Sequence, residues 1–442
     1  MDTTRPRLTP EQALQFAPDA SAAQNAQKLA KPGQWQILRC RPPVIWGEIQ
    51  GSALYKAAFD LDTLEFKCSC PSRKQPCKHG LALVLSWAQG AERFEEAEPG
   101  GWVSEWLAKR QAAADKKSAK AAAGDEAAKP VDAAAQAKRL AAREKKVQGG
   151  MDELRIWLDD LLRGGLAHAR TLSGSHFERM AGRLVDAQAA GLAALVQELA
   201  GALRLAHWQQ AAPQALARLG LLLESHARQP SLPPEFQADV RTLIGWTVGQ
   251  DEVLATPPLA DDWLVLSHRD GDLDTGNGRF RRQWLWGRNS GRAALLLSFA
   301  FGGQNLNPPF PAGMTLPARL CWYPSATPSR ALVQQHDAPQ SLPLPATLGY
   351  ATLADALDAQ AAQLALNPLL HLLPWLLNAV IPVPADQGWV LRDSAGQAVP
   401  ALVDDGWSLL ALSGGLPLCV FGEWDGERLR VLDAWCDGEM LA

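Results

Sequence analysis

The sequence predicts an α+β protein of several domains: a small ββα unit, a helical domain and a mixed, β-rich C-terminal domain. Short β-type runs precede one apolar helical run between residues 35 and 92. Helical periodicity dominates residues 151–255, and alternating patterns with turn residues dominate residues 262–442. A chain of 442 residues is long enough for about two to four domains, so a single core is not expected.

The first predicted domain spans residues 35–92 and follows an N-terminal segment, residues 1–34. Its β-type runs are rich in β-branched and aromatic residues and are separated by proline or glycine, as in a β-meander. They cover residues 35–40, 44–49, 54–59 and 64–68. The run from Leu81 to Trp87 then continues without a breaker until Gly90, which predicts a short, buried helix ended by glycine.

Three of the 7 cysteines cluster next to a histidine, in the order Cys68, Cys70, Cys77 and His79 with the spacing C-x-C-x6-C-x-H. Residues two apart on a strand project to the same side, so the first two sulfurs can approach one ion together. The other two residues are expected in the turn that opens the following helix. Three sulfurs and one nitrogen form a four-ligand set typical of structural Zn²⁺, with no open position for a catalytic water. The alternative is three core cysteines beside an unrelated surface histidine.

Charge and size add two expectations for this motif. Three thiolates and a neutral imidazole around Zn²⁺ leave one net negative charge, which the flanking Lys67, Arg73, Lys74 and Lys78 are expected to offset. Zinc binding in such sites is worth on the order of 10–16 kcal/mol near pH 7. A unit this small gains less than that from its core, so zinc binding and folding of the domain are expected to be coupled.

The four residues resemble the SWIM-type zinc finger, whose pattern is C-x-C, a variable gap and C-x-H. The ββα layout of that finger agrees with the strands and helix predicted here, and the order of finger, basic segment, helices and β-rich tail is similar to that of bacterial SWIM zinc finger proteins. The resemblance implies one structural Zn²⁺ and the binding of DNA or protein partners. It also implies a link with MoxR-type ATPases and von Willebrand A-domain proteins.

The middle of the chain changes composition twice. Residues 108–150 are rich in Ala and Lys, with 11 Lys and Arg against 5 Asp and Glu, and predict a basic linker with little apolar surface to bury. Residues 151–255 predict a helical domain of about four or five helices, because apolar residues recur at three- and four-residue steps. These residues are Leu154, Trp157, Leu158, Leu161, Leu162, Leu184, Leu192, Leu195, Leu199 and Leu203. Four prolines, Pro213, Pro230, Pro233 and Pro234, are expected to separate the later helices.

The predicted C-terminal domain, residues 262–442, mixes strands with one helical stretch. Turn pairs at Asp270-Gly271 and Asn277-Gly278 are expected to join the first strands. Residues 351–380 predict helix, and the later strands are expected near residues 388–392, 407–412, 417–424 and 428–432.

Composition and charge exclude several classes of protein. A net charge of -4 and a pI near 6.1 argue against a protein that coats nucleic acid or anionic membrane over its whole surface. The most apolar run, residues 367–383, is shorter than the roughly 20 residues that cross a bilayer, so no membrane partner is expected. The first residues lack the apolar run of a secretory signal, and a cytoplasmic location is the default expectation.

The sequence favours a non-enzymatic adaptor that binds a protein partner through its finger. The alternative is a DNA-binding protein that uses the finger and the basic linker. Between residues 35 and 90, 7 Lys and Arg face 4 Asp and Glu. That surplus is modest for a protein that grips phosphate.

Weaker signals assign no catalytic or cofactor-binding residue. His268 with Asp270, and the Ser173–His176 segment, lack a nucleophile-elbow sequence and are interpreted as polar loop residues. Trp284 and Trp286 alternate with Leu285 and are interpreted as residues of a half-buried strand rather than a stacking platform for bases.

Overall fold

The computed structural model describes residues 8–122, 133–273, 278–302, 304–344, 348–436 and 439–441. A sheet flanked by helices comes first, a helical bundle follows, and two β-barrels complete the chain. This order confirms the α+β, multidomain fold class. Among the described residues, no helix combines the length and apolarity needed to cross a bilayer.

The N-terminal region is one five-stranded sheet with helices on both faces. Its elements are α1 (Pro10–Leu14), α2 (Ala20–Leu29), β1 (Trp35–Arg41), β2 (Val44–Gln50), β3 (Leu54–Asp60), β4 (Glu65–Cys68), α3 (Lys78–Gln89), β5 (Glu95–Glu96) and α4 (Trp102–Ala122). Strands β1 to β4 form the expected antiparallel meander, and β5 adds to β1 in parallel. The sheet order is β4-β3-β2-β1-β5.

Segments outside the predicted 35–92 boundaries complete this region. Phe16, from the N-terminal segment, packs against the rings of Phe59 and Phe66 under α3. On the opposite face, Val103 of α4 lies in a buried cluster with Trp46 of β2. Both faces of the sheet are therefore covered, which buries far more apolar surface than the ββα unit alone could.

The structure also differs from the predicted linker, residues 108–150. Its first residues belong to α4, where Arg110 donates to Asp60 at 2.7 Å and to Thr63 at 2.6 Å. Its last residues belong to a helix of the bundle, where Val147 is buried. Residues 123–132 lie outside the described residues. Alanine and lysine are good helix formers, and contacts at both ends hold the helices in place.

The bundle is built from amphipathic helices around one apolar core. They are α5 (Ala133–Gly164), α6 (Leu166–Ala169), α7 (Gly174–Asp186), α8 (Ala190–Ala202), α9 (Trp208–Ala227) and α10 (Pro234–Ile244). The short helix α11 (Gln250–Leu254) follows the bundle and lies against the first barrel. Leu154, Leu184, Leu192 and Leu219 are fully buried in its core. Pro213, expected between helices, instead lies inside α9, where it removes one backbone hydrogen bond near the start of a 20-residue helix.

The first barrel contains β6 (Leu259–Asp272), β7 (Gly278–Gly287), β8 (Ala293–Phe301), β9 (Thr315–Trp322) and β10 (Arg330–His336). Around the ring the strands run β6-β7-β8-β10-β9 and close on β6. All neighbours are antiparallel except β8 and β10. Numbered from one, the strands follow the order 1-2-3-5-4 around a closed five-stranded barrel.

The second barrel repeats that order. After α12 (Leu353–Leu366) come β11 (Leu373–Ala385), β12 (Gly388–Asp393), β13 (Ala398–Leu402), α13 (Gly406–Ser413), β14 (Leu418–Trp424), β15 (Leu429–Cys436) and β16 (Glu439–Leu441). Strands β11-β12-β13-β15-β14 form the ring, because β13 pairs with β15 in parallel and β14 pairs with β11. Strand β16 adds to the outside of β15.

The barrels pack against each other through large apolar side chains. Trp284 of the first barrel meets Phe421 of the second with ring centroids 6.2 Å apart. The Trp284 indole donates to Glu423 at 2.9 Å, and Arg282 forms an ion pair with the same carboxylate at 3.1 Å. Trp284 is thus fully buried, more deeply than the half-buried strand predicted for it.

Three local predictions in these barrels are wrong. Asp270 and Gly271 pair with β7 inside β6 instead of turning. Residues 373–380 are strand rather than helix, since the long apolar run there has no helical period and is buried in a barrel. Residues 407–412 form α13, because Asp405 caps its first turn and Gly414 ends it in the left-handed conformation.

Candidate metal centre

The structure brings the four predicted ligands together at the corner where β4 meets α3. Cys68 is the last residue of β4, and Cys70 follows it before Pro71. Cys77 is the N-cap of α3, and His79 lies in the first turn of that helix. The two pairs therefore approach from opposite sides of one corner, as the sequence predicted.

The donor atoms fit a tetrahedral ion. Three sulfurs and one imidazole nitrogen all lie within 4.8 Å of one another. Zn–S bonds of about 2.3 Å place tetrahedral sulfur ligands about 3.8 Å apart, so the cluster needs only a small contraction. The Cys68 Sγ to His79 Nδ1 distance is already 3.9 Å. The donor set suits one structural zinc ion, held by Cys68, Cys70, Cys77 and His79.

Local interactions orient the two ligands on α3. The Gly80 N–H donates to the Cys77 sulfur at 3.4 Å, which is a side-chain cap on the helix. The imidazole of His79 stacks on the Tyr55 ring, with centroids 4.7 Å apart and planes 30° apart. Strand β3 therefore fixes the plane of the histidine from the side opposite the helix.

The protons of the cluster are distributed unequally. Hydrogen bonds from Cys68, His79 and the Gly80 N–H lower the pKa of Cys77 to about 4, against the effect of burial. The same contact with Cys77, together with burial, raises the pKa of Cys68, and burial raises the pKa of Cys70. Zinc requires all three thiolates, so binding must release protons.

Basic side chains surround the centre, but not all of their charge is free. Lys74 forms an ion pair with Asp19 of α2 at 2.6 Å. Within the part of the chain that the structure describes, Lys67, Arg73 and Lys78 are exposed and form no ion pair. They lie where the anionic zinc site would need compensation.

Sequence reasoning missed two residues that support the site. Asp19 caps α2 and anchors the ligand loop through Lys74, and Tyr55 packs on the metal-binding histidine. The Asp-Ala-Ser start of α2 is a recognisable capping signal. Nothing in the sequence around Tyr55 points to a histidine 24 positions away.

The other candidate polar groups serve the fold. His176 accepts from the Trp157 indole at 2.9 Å, and Ser173 and Ser175 bond to each other. Asp270 is held by Arg281 through two contacts of 2.6 and 2.7 Å. Burial beside that guanidinium lowers the pKa of His268 to about 4. Each of these groups already has a structural partner or a buried environment.

Two family profiles match the chain. Residues 60–88 match the SWIM zinc finger, a span that holds all four donors and nearly all of α3. Residues 142–244 match the SWIM-associated four-helix bundle domain, which ends with α10. No curated protein and no solved structure matches the chain significantly.

Proposed function

We propose that this chain, a SWIM-type zinc finger protein, is a non-enzymatic adaptor whose zinc-organised corner presents a binding surface to a protein partner. The four donors would fill the coordination shell of Zn²⁺, which supports a structural rather than a catalytic role. Zinc would then fix the shape of the surface beside it.

A groove next to the metal centre carries the proposal. It has a volume of about 540 Å³ and runs between α2, the β2–β3 turn and the ligand loop. Its lining includes Asn25, Ser52 and the stacked Tyr55 and His79, together with Lys74 and Lys78. This mixture of polar and aromatic groups suits a peptide segment better than a phosphate backbone.

The charge of the finger supports a protein partner over DNA. Arg39 and Arg41 pair with glutamates that follow α3, Lys56 pairs with Glu48, and Lys74 pairs with Asp19. Four of the 7 basic side chains between residues 35 and 90 are therefore offset within the protein. Little charge remains to release counterions from nucleic acid.

Affinity capture with a matched pair of groove variants tests the adaptor proposal. Asn25→Arg places a long charged side chain in the groove, and Gln89→Arg places the same side chain at the exposed far end of α3. A MoxR-type ATPase and a von Willebrand A-domain protein of the same cell are the first purified baits. The first variant and Cys77→Ala are expected to lose the partner, whereas Gln89→Arg retains it.

Nuclease treatment separates the two classes of partner. A protein partner survives nuclease and shows weak dependence on salt, because its contacts are not dominated by phosphate charge. The adaptor proposal is contradicted if nuclease treatment abolishes capture of the partner. It is also contradicted if neither Asn25→Arg nor Cys77→Ala reduces that capture.

A further inference from the structure

Two exposed phenylalanines and one half-buried phenylalanine form an aromatic surface on the outside of the first barrel. Phe280 lies on β7, and Phe299 and Phe301 lie on β8, where they are 45% and 55% exposed. Phe280 pairs with Phe299 across the strands, and alternate residues of a strand share a face, so the three rings are neighbours. The rings of Phe299 and Phe301 are nearly parallel, with planes 19° apart and centroids 6.2 Å apart. We call these three residues the Phe platform.

Glycines opposite two of the rings make the platform flat. Gly271 pairs with Phe280, and Gly278 pairs with Phe301. A Cβ atom at Gly271 would lie 2.6 Å from the Phe280 ring, and one at Gly278 would lie 2.9 Å from the Phe301 ring. Both rings therefore lie across the neighbouring strand, in space that any other residue would occupy.

Two arginines border the platform, and one of them, Arg282, has an acidic partner. Arg269 and Arg282 are directly opposite each other on β6 and β7, and like charges in that position destabilise a sheet. Arg282 lies 5.8 Å from the centre of the Phe280 ring and pairs with Glu423. Arg269 is exposed and, among the described residues, forms no ion pair. An anion beside Arg269 would give it the counter-charge that Glu423 already gives Arg282.

The rest of the same barrel face is already occupied. Trp284, two residues along β7 from Arg282, is covered by the second barrel. Strand β8 pairs with β10 only at Leu295 and Leu296, so the platform end of β8 has no further strand beside it in the described chain. One end of this barrel face is therefore covered by the second barrel, and the other end, which carries the Phe platform, is uncovered in the described chain.

We propose that the Phe platform binds single-stranded nucleic acid, with bases stacked on the phenylalanine rings and a phosphate beside Arg269. In five-stranded Greek-key barrels that bind oligonucleotides, strands two and three form the binding face, and β7 and β8 are the second and third strands of this barrel. Stacking on aromatic rings requires unpaired bases and tolerates any sequence. The platform lies on a different domain from the zinc centre, so this inference does not depend on the adaptor proposal.

Fluorescence anisotropy of labelled 12-nucleotide oligo(dT) with the full-length protein tests the inference. Phe299→Ala/Phe301→Ala is expected to weaken binding at least about tenfold, since each stacked base contributes strongly. Arg269→Gln is expected to weaken it and to reduce the slope of log affinity against log salt by about 0.7. Trp407→Ala is the matched control, because it removes a 66% exposed aromatic side chain from the second barrel. Circular dichroism checks that each variant is folded.

Four results would overturn the inference. They are no binding of oligo(dT) at low salt, equal competition by duplex DNA, unchanged affinity in the double phenylalanine variant, and loss of affinity in Lys78→Gln at the finger instead. Binding of an extended peptide, and not of oligo(dT), to the same phenylalanines would assign the β8 edge to strand pairing.

Discussion

The zinc-finger region and the helical bundle are stabilised by different interactions. In the bundle, fully buried leucines from several helices hold every long helix in place. In the finger region, α3 is buried in the same way, but residues 71–75 of the ligand loop are all exposed. Such a loop has no apolar side chains to fix it, so the chain uses metal ligands at its two ends. The comparison indicates that zinc is needed where hydrophobic packing is missing.

The structure also narrows the expected coupling between zinc and folding. A ββα unit alone would depend on zinc throughout, but α1, α2 and α4 add apolar contacts to both faces of its sheet. Zinc dependence should therefore be concentrated at the β4–α3 corner. The difference between the two regions can be tested by removing zinc from the finger and a buried leucine side chain from the bundle.

Zinc removal should have the largest effect and should spare the bundle. A strong chelator, or Cys77→Ala, is expected to destabilise residues 65–80 by more than about 5 kcal/mol, within the 10–16 kcal/mol that zinc binding supplies. Hydrogen exchange should increase there and remain unchanged across residues 142–244. Cys436→Ala, at a cysteine remote from the cluster, is the control and should keep one equivalent of zinc. Increased exchange across the bundle as well would contradict the comparison.

A cavity in the bundle should destabilise the bundle and leave the zinc finger unchanged. Leu192→Ala removes a fully buried side chain and is expected to cost about 2–5 kcal/mol in the free energy of unfolding. Zinc content should not change, because the finger has its own support. Denaturant unfolding with metal analysis measures both quantities. Leu162→Ala, at a position that is 50% exposed, should cost less than about 0.5 kcal/mol.

Acid should separate zinc-supported structure from packed structure. Protons compete with zinc for thiolate and imidazole ligands, so the finger should lose zinc as the pH falls.

In the second barrel, loss of hydration raises the pKa of Asp433 from 3.8 to about 7, although a hydrogen bond with Ser267 opposes the shift. The folded state therefore binds this proton more tightly than the unfolded state. Its contribution to stability is full below pH 4 and is lost as the pH rises through 7.

Asp433→Asn should consequently be stabilising only above neutral pH. We expect a Tm gain of about 4–8 °C at pH 8, the shift that about 1 kcal/mol produces in a domain of roughly 60–100 residues, and no gain at pH 4. Thermal unfolding of the variant at both values measures the difference. The exposed Asp386→Asn should change Tm equally little at either pH. A gain for Asp433→Asn that is the same at both values would show that the carboxyl is not desolvated.

Local patterns determined the metal centre and the helices of the bundle. Cys68, Cys70, Cys77 and His79 lie within a dozen residues, and a strand end and a helix start bring them together. Asp19 and Tyr55 then support the ligand loop and the histidine. The leucines of the bundle recur with the helical period, so their burial also follows from short-range geometry.

Only the tertiary structure decided the rest. Residues 373–380 and 407–412 are apolar without a clear period, so the pattern does not determine their conformation. Residues 373–380 become a strand because the second barrel buries them. Residues 407–412 become a helix because Asp405 and Gly414 cap its two ends. The strand order of the two barrels depends on parallel pairings between strands that are distant in sequence, such as β8 with β10 and β13 with β15. Tyr55 on His79, Phe16 under α3 and the Phe platform beside Arg269 arise in the same way. The spacing of residues in the sequence determines only which residues are close along the chain. These contacts join residues that are distant in sequence, so they depend on how the sheets and helices pack in the folded protein.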